Sequence, residues 1–471
     1  MRARIRRRSD APADGAGLED GMEAIEAHEV QAARDMLRFI EGCPSMFHTT
    51  ATIAARLEAV GFTELPEGAA WEVEPGGSYY VTRNGSSIIA FRVGARALAA
   101  RERFHFQLAA SHGDSPSFKI KSAGELAGPA GYRRLNVEAY GGMMDYTWFD
   151  RPLGIAGRAL VEEGGAVASR LVHLDRDVAI IPSVAIHLNR DVNGGFAPNR
   201  ASDLCPLISA GVAGEGDFDS LVANAVGVEA EHVLASDLFL VNRQQARVWG
   251  VAEEFVSSPR IDDLMCAYTS LEGFLTAANS ACVTVYCCFD NEEVGSNTKQ
   301  GALSTFLPDT LVRLCSALDL DDDEYRRALS RSFMVSCDNA HALHPNRPSL
   351  HDEQNSCTLN GGPVIKEAAN QHYCSDAFSR AVFMALCRRA DVPFQTFANR
   401  SDMAGGSTLG NLSNMQASMH AVDMGCPQLA MHSSYETAGT RDVDLAIRAM
   451  RAFFDTDIRI DGAHGFELVS A

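Results

Sequence analysis

Five short segments of the chain place side chains that can bind metal ions at points where a strand is predicted to end. Their histidine nitrogens and carboxylate oxygens suit a pair of zinc-like ions, and one carboxylate is left over to act as a base. These residue types predict hydrolytic chemistry. The segments are 109–114, 258–263, 289–293, 335–338 and 429–432, with the candidate residues His112, Asp114, Asp262, Asp263, Glu292, Glu293, Asp338 and His432.

His112 and Asp114 lie two residues apart after a predicted buried strand at 106–110. Their side chains leave the chain on the same side, so the carboxylate can accept the second N–H of the imidazole. That contact leaves the other ring nitrogen free for a metal. Taken alone, a polar turn after a core strand is the simpler explanation of this pair.

Asp262 and Asp263 open a predicted helix. A single aspartate at this position usually caps the helix, but two in succession are more than a cap requires. A carboxylate has two oxygens and can bridge two cations. Asp262 could therefore bind both ions, while Asp263 caps the helix or supports its neighbour.

The acidic segment 290–293 follows the most apolar predicted strand, at 283–289. Carboxylates so close in sequence repel one another unless a cation or solvent offsets their charge, and an exposed acidic turn is the alternative interpretation. In the functional interpretation Glu293 binds metal, and Glu292 takes a proton from the attacking water.

Asp338 and His432 also follow predicted strands, at 332–337 and 427–431. His341 and His344 fit plain hydrogen-bonding groups of a polar loop, and a histidine that ends a strand has the same alternative. The joint occurrence of all five segments favours a metal site, because one edge of a sheet can gather them.

A glycine-rich turn at 402–410 and a lysine complete the candidate residues. Gly406 and Ser407 could present N–H and hydroxyl donors to a peptide carbonyl or carboxylate, although a loop that enters a helix is the simplest interpretation. Lys366 would normally be a surface residue. If it faces the site, it favours an anionic substrate side chain.

The predicted elements that must position these residues form two patterns. From residue 237 onward, apolar strands alternate with amphipathic helices, which predicts an α/β layer fold with a mixed or mostly parallel sheet. Residues 118–236 instead form short strands separated by Gly, Pro and Asn, which predicts an inserted β-rich domain. The catalytic domain is then discontinuous, over 26–117 and 237–471, and residues 1–25 form a loose extension.

The composition narrows the possible partners. A chain of 471 residues is longer than a domain with a single hydrophobic core usually is, so two domains are expected. The net charge of −20 argues against nucleic-acid or membrane partners. A basic cluster at 2–8 is followed by neither a secretion signal nor a membrane-spanning run, so we expect the protein in the cytoplasm. Twelve cysteines without a Cys-x-x-Cys pair are typical of reduced core residues.

The candidate segments resemble, in their order along the chain and in their residues, those of the aspartyl aminopeptidase family of dinuclear zinc metallopeptidases. The resemblance covers nearly everything after residue 30. The matching segments are Phe-His at 47–48, His-Gly-Asp-Ser-Pro at 112–116, Trp-Phe-Asp-Arg at 148–151, Ala-Ile-His-Leu at 185–188, Asp-Asn-Glu-Glu-Val-Gly at 290–295, Gly-Gly-Ser-Thr at 405–408 and Pro-Gln-Leu-Ala-Met-His-Ser at 427–433.

The resemblance implies a role for each candidate residue. Glu292 would be the general base and Asp114 the partner of His112, and cobalt or manganese could replace the zinc ions. Gly113 and Asp263 stand where the family commonly has Thr and Asn, and neither change removes a ligand. The implied ligands are His112, Asp262 and Asp338 for one zinc ion and Asp262, Glu293 and His432 for the other.

The resemblance also implies an assembly and a substrate. The catalytic domain would have three layers, and the β-rich insertion would make dimers that build a homo-oligomer, a hollow dodecamer. His187 would reach into the active site of the neighbouring subunit, and Lys366 is linked to a preference for acidic N-terminal residues.

We therefore expect an enzyme that removes N-terminal Asp or Glu from peptides. Three alternatives stay open: a preference for apolar N-terminal residues, a related dinuclear amidohydrolase, and a non-catalytic assembly protein with the same fold. Metal analysis combined with turnover of Asp-amide, Leu-amide and N-acylated substrates would distinguish them.

Overall fold

A large mixed sheet and a smaller antiparallel sheet organise the chain. The structure, a computed structural model, describes residues 25–470. The loose extension predicted for residues 1–25, apart from its last residue, and the basic cluster within it lie outside the described residues.

Strands and helices alternate along much of the chain, apart from a long run of strands in its second quarter. The strands are β1 (Thr63–Glu64), β2 (Ser78–Arg83), β3 (Ser87–Val93), β4 (Phe106–His112), β5 (Ser117–Ala127), β6 (Tyr132–Tyr140), β7 (Leu153–Glu163), β8 (Ala166–Ala179), β9 (Leu207–Ala210), β10 (Val233–Asn242), β11 (Arg247–Trp249), β12 (Phe255–Ser258), β13 (Val283–Phe289), β14 (Phe333–Cys337), β15 (Ala340–His341), β16 (Val364–Glu367), β17 (Gln395–Ala398), β18 (His420–Gly425), β19 (Pro427–Leu429), β20 (Glu436–Gly439), β21 (Thr456–Asp461) and β22 (Gly465–Ser470). The helices are α1 (Ala27–Glu41), α2 (Met46–Ala59), α3 (Asp217–Val226), α4 (Ile261–Thr276), α5 (Phe306–Ala317), α6 (Asp322–Leu329), α7 (Ala377–Arg389), α8 (Leu409–Gln416) and α9 (Thr440–Asp455).

The large sheet has the strand order β1-β2-β3-β13-β4-β14-β18-β16-β17. Its four central strands, β13, β4, β14 and β18, run parallel to one another. Their carboxyl ends therefore meet at one edge of the sheet, where ligands gather in folds of this class. Phe289, the last residue of β13, pairs with His112, the last residue of β4.

Helices cover both faces of this sheet. Neighbouring strand residues alternate between the two apolar cores, so Tyr286 packs on the side of α1, α4 and α9 and Val285 on the side of α5 and α6. Every residue of β4, β13 and β14 is buried, as expected for strands covered on both faces. The predicted three-layer α/β fold with a mixed, mostly parallel sheet is confirmed.

The second sheet is antiparallel, with the strand order β8-β7-β10-β5-β6-β9. It has a core of its own, in which Phe118 meets Trp148 edge to face at 5.3 Å, and this confirms the predicted β-rich region. Its strand β10 continues to Asn242, beyond the proposed boundary at residue 236. The limits of the domains remain a prediction.

The environment of the cysteines agrees with a further expectation. All twelve cysteines are unpaired, and all except Cys374 are buried, as predicted for reduced core residues. Among residues 25–470, no helix is long and apolar enough to cross a membrane.

Candidate active site

The predicted metal ligands converge at the carboxyl edge of the central strands. Within residues 25–470, three groups of side chains bring ligand atoms within 4.8 Å of one another. All five predicted ligands belong to these groups, and three of them, His112, Asp262 and Glu293, belong to two groups each. The groups are His112 with Asp262, Asp263 and Asp338, then His112 with Glu292 and Glu293, and finally Asp262 with Glu293 and His432.

The carboxylate of Asp262 lies between the two histidines. Its Oδ1 is 3.5 Å from Nε2 of His112, and its Oδ2 is 3.4 Å from Nε2 of His432. The same His432 nitrogen lies 3.4 Å from Oε2 of Glu293. Asp262 can thus offer one oxygen to each half of the cluster, which is the geometry that a bridging carboxylate requires.

The start of α4 departs from helical geometry in order to present this carboxylate. Arg260 has a left-handed φ of 60°, and Asp262 has an extended ψ of 110°. Asp263, which a cis peptide bond joins to Asp262, accepts a hydrogen bond of 3.1 Å from the backbone N–H of His112. It therefore ties α4 to the end of β4 and does not cap its own helix.

Asp114 organises both the imidazole and the acidic turn. Its Oδ1 lies 3.4 Å from Nδ1 of His112. Its two carboxylate oxygens also accept hydrogen bonds of 3.2 Å from the backbone N–H groups of Glu292 and Glu293. The main-chain carbonyl of Asp114 lies closer still to Nδ1 of His112, at 3.1 Å, so the carbonyl and the carboxylate together orient the imidazole, and the carboxylate alone holds the turn.

Glu292 and Glu293 occupy a short 3-10 turn after β13, in which Asn291 has a left-handed φ of 63°. The side chain of Glu293 is 2% exposed, whereas that of Glu292 is 16% exposed and its Oε2 lies 3.9 Å from Nε2 of His112. Glu292 is thus the more accessible of the two carboxylates.

The electrostatics of the cluster fit bound cations. Burial raises the pKa of Glu292 to about 8, because His112 offsets only part of that effect and the charge of Asp338 adds to it. Burial would lower the pKa of His432, but the carboxylates of Asp262 and Glu293 raise it to about 10. Cations would relieve the repulsion between these carboxylates.

Three buried carboxylate oxygens of the cluster have no hydrogen-bond partner within the described chain. A buried polar atom without a partner is costly, and zinc ligation would satisfy the two oxygens that belong to predicted ligands, those of Asp262 and Glu293. The donor set of two histidines and several carboxylates therefore fits zinc. The unpartnered oxygens are Oδ1 of Asp262, Oδ1 of Asp263 and Oε1 of Glu293.

Lys366 lies beneath the cluster, not at the protein surface. Its side chain is 2% exposed, and Nζ donates to the main-chain carbonyls of Asp338 at 2.8 Å and Asn339 at 3.2 Å. Burial would lower the pKa of Lys366, but Asp338, whose Oδ1 lies 3.7 Å away, raises it. The lysine acts on the site through its charge and through the segment that carries Asp338.

A cavity of about 460 Å³ adjoins the cluster and is lined by Gly405 and Gly406 of the predicted glycine-rich turn. No Asp or Glu of residues 25–470 lines it. Arg400 is paired with Asp402, whereas the guanidinium of Arg347 has no hydrogen bond or ion pair with any residue of the described chain. The lining contains Arg347, Arg400 and three histidines, His341, His344 and His351; burial lowers the pKa of His341 to about 4 and also lowers the pKa of His351, so these two are neutral near pH 7.

Two other predicted substrate residues are exposed. Ser407 follows Gly406 in the glycine-rich turn, and its hydroxyl lies 3.3 Å from Oδ1 of Asn411. His187 lies in the connection between β8 and β9, and none of the three groups found in the described chain includes it. His341 and His344 line the cavity and are also absent from these groups.

Sequence reasoning missed two contributions to the site. Tyr140, at the end of β6 in the antiparallel sheet, donates a hydrogen bond of 2.7 Å to Asp114. Gly141 follows at a φ of 80°, where an added Cβ would lie 3.1 Å from Cβ of Glu293. Glu436 accepts hydrogen bonds from the backbone N–H groups of Asp262 and His432. Neither Tyr140 nor Glu436 carries a sequence signal beyond its place near a strand end.

Known proteins match this chain over most of its length. A family model described as aminopeptidase I zinc metalloprotease (M18) matches residues 39–454. The probable M18 family aminopeptidase 2 of Clostridium novyi is 40% identical over 433 residues, which cover 91% of this chain and 99% of that relative.

Solved structures share the fold. A chain from the cryo-EM structure of the Ape4 and Nbr1 complex is 36% identical, with a TM-score of 0.87 over 92% of this chain and 87% of that chain. The S. cerevisiae mApe1 dodecamer is 26% identical, with a TM-score of 0.79 over 91% of this chain and 97% of that chain.

Proposed function

This chain belongs to the M18 family of zinc aminopeptidases and is a metallo-aminopeptidase, and we propose that it releases N-terminal Asp or Glu residues from peptides. The observation that carries the acidic preference is the cavity beside the cluster, whose lining within the described chain has basic residues and no carboxylate. In a chain with a net charge of −20, a lining of this kind favours an anionic substrate group.

We propose that the cluster holds two zinc ions, with cobalt or manganese as alternatives. When bound, zinc polarises the scissile carbonyl and lowers the pKa of the attacking water. Asp262 is shared because its two oxygens face different histidines. The proposed ligands are His112, Asp262 and Asp338 for one ion and Asp262, Glu293 and His432 for the other.

Glu292 is the proposed general base. It takes a proton from the attacking water and passes it to the departing amine. Its partial exposure, and a pKa that burial raises to about 8, suit a group that must both accept and donate a proton near neutral pH. Asp114 holds the tautomer of His112 that leaves Nε2 free.

The substrate's first side chain occupies the basic cavity in this proposal. Gly406 has open space where a Cβ would stand, so its main chain is accessible to a ligand, and Ser407 adds a hydroxyl at the same turn. Lys366 contributes positive charge from beneath the site. Arg347 offers a guanidinium that can pair with a substrate carboxylate.

A panel of amide substrates tests the proposal. The zinc-loaded protein should turn over Asp-amide and Glu-amide faster than Leu-amide, and should leave N-acetyl-Asp-amide intact. Faster turnover of Leu-amide would favour an apolar preference, and cleavage of the acetylated substrate would favour a related amidohydrolase. Absence of turnover by the zinc-loaded protein would favour a non-catalytic assembly protein.

Replacing Arg347 with Gln should lower kcat/KM for Asp-amide by about tenfold to a hundredfold, the value of a hydrogen bond to a charged group, and should leave Leu-amide nearly unchanged. Arg400→Gln is the matched control, because Asp402 already neutralises that arginine in the same cavity. Equal losses for both substrates, or an equal loss in the control, would remove Arg347 from acid recognition.

The chain also assembles, in this proposal, into a homo-oligomer, a dodecamer built from dimers of the β-rich region. One solved relative is described as a dodecamer. His187 is exposed and flanked by exposed apolar side chains, of which Leu188 is 82% exposed. These features suit a contact that brings His187 to a neighbouring active site. The unpaired cysteines support a cytoplasmic location.

Light scattering should give a mass of about twelve chains, as in the dodecameric relative. His187→Ala should keep that mass and lower kcat for Asp-amide about tenfold or more, the usual loss for a group that touches the reacting centre. Ile186→Asp together with Leu188→Asp should reduce the mass. A monomeric wild-type protein would contradict the assembly and remove His187 from any neighbouring site.

A further inference from the structure

We infer that Glu436 is a positioning residue, which holds the ligand segments of Asp262 and His432 in register through their backbone N–H groups. The inference rests on the proposed metal ligands. It concerns a carboxylate that touches no substrate and that the metal assignment itself does not use.

Glu436 bridges two distant parts of the chain with one side chain. Its Oε2 accepts a hydrogen bond of 3.0 Å from the N–H of Asp262, and its Oε1 accepts one of 2.7 Å from the N–H of His432. The residue is 2% exposed, so no solvent could replace these contacts.

The segment that ends at His432 needs such support. His432 has a φ of 65° and Ala430 a φ of 57°, in the left-handed region that residues with a Cβ rarely adopt. Conformations of this kind are strained and persist only where the surroundings hold them. The hydrogen bond from the His432 N–H to Glu436 is one such constraint.

Two neighbouring side-chain amides connect Glu436 to the segment that carries the third proposed ligand, Asp338. Gln428 donates to Oε1 of Glu436 at 3.4 Å, and Asn339 donates to the side-chain oxygen of Gln428. Asn339 directly follows Asp338 and also donates to the carbonyl of Ile261 at 3.2 Å. We call Asn339, Gln428 and Glu436 the Glu436 network. All three side chains are buried, so the network links Asp262, Asp338 and His432 without solvent.

Such a network sets metal affinity, because the groups behind the ligands fix the geometry that an ion meets. Replacement of such groups commonly weakens metal binding by about tenfold to a hundredfold. Glu436→Gln keeps the shape of the side chain but leaves one acceptor oxygen for two N–H groups. The backbone of Asp262 or of His432 would then lose its partner.

The test is zinc affinity of the full-length protein, measured by competition with a coloured chelator. We expect Glu436→Gln to raise the dissociation constant of at least one zinc ion by about tenfold to a hundredfold, and excess zinc to restore kcat for Asp-amide. Asp442→Asn is the matched control. Asp442 is also a buried carboxylate that accepts two backbone N–H groups, those of Asn360 at 2.6 Å and Gly362 at 2.8 Å.

The control should lower the unfolding temperature without changing zinc affinity. Zinc dissociation constants within about twofold of wild type for Glu436→Gln, or equal weakening in Asp442→Asn, would overturn the inference while leaving the proposed function intact. A wild-type protein that binds no zinc would instead overturn the proposed function. If Glu436→Gln does not fold, Gln428→Met is the second variant, because it removes one hydrogen-bond donor to Glu436 at similar side-chain volume. It should weaken zinc binding about threefold or more. Unchanged zinc affinity in that variant counts against the inference.

Discussion

Replacing Glu292 with Gln should lower kcat for Asp-amide by about a hundredfold to ten-thousandfold, the usual contribution of a general base, while the zinc content stays unchanged. The amide cannot accept the proton of the attacking water. Glu292 is more exposed than Glu293 and lies 3.9 Å from His112, at the rim of the cluster. Turnover of Asp-amide and metal analysis on the same preparation measure both quantities.

The same measurement distinguishes a base from a ligand. One group of potential ligands joins His112 with Glu292 and Glu293, so the geometry alone also allows Glu292 to bind metal. Glu293→Gln is the matched control, because it makes the same chemical change one residue away and should remove zinc. An active Glu292→Gln enzyme would show that another group is the base, and loss of zinc from it would make Glu292 a ligand.

The strands that carry the proposed ligands could be predicted from the sequence alone. The apolar run at 283–289 has the same limits as β13, and the predicted strand before His112 became β4. Each of His112, Glu293 and Asp338 lies at or just after the end of a predicted strand. Because parallel strands end at a common edge of the sheet, this position was sufficient to predict that the three residues lie close together. Local turn preferences also explain the three-residue loop between β2 and β3, where Asn84 and Gly85 both have left-handed φ values.

The supporting contacts could not be predicted, because they depend on how separate segments pack. Tyr140 comes from the antiparallel sheet, and nothing in its neighbourhood indicates that the sheet closes over Asp114. The acidic pair of Glu292 and Glu293 follows a predicted strand, but the sequence does not indicate the 3-10 turn that carries both. Lys366 was expected at the surface or in the substrate pocket, yet its buried strand β16 directs it to main-chain carbonyls.

The largest effect on metal binding should come from Asp262. Replacing Asp262 with Asn should reduce the zinc content from the proposed two ions per chain to less than about one, because an amide offers one oxygen and no charge to the proposed bridging position. Each oxygen of Asp262 faces a different histidine, at 3.5 and 3.4 Å. Elemental analysis after dialysis against a weak chelator measures the loss, and kcat for Asp-amide should fall with it.

Asp263→Asn provides the control for this change, because it alters the adjacent carboxylate in the same way. Burial raises the pKa of Asp263 well above its usual range, and its Oδ2 serves the backbone N–H of His112, a contact that an amide oxygen can keep. We therefore expect Asp263→Asn to retain both zinc ions and most of the activity. Full zinc content in Asp262→Asn, or equal losses in both variants, would mean that Asp262 does not bridge the two ions, and the dinuclear assignment would fail.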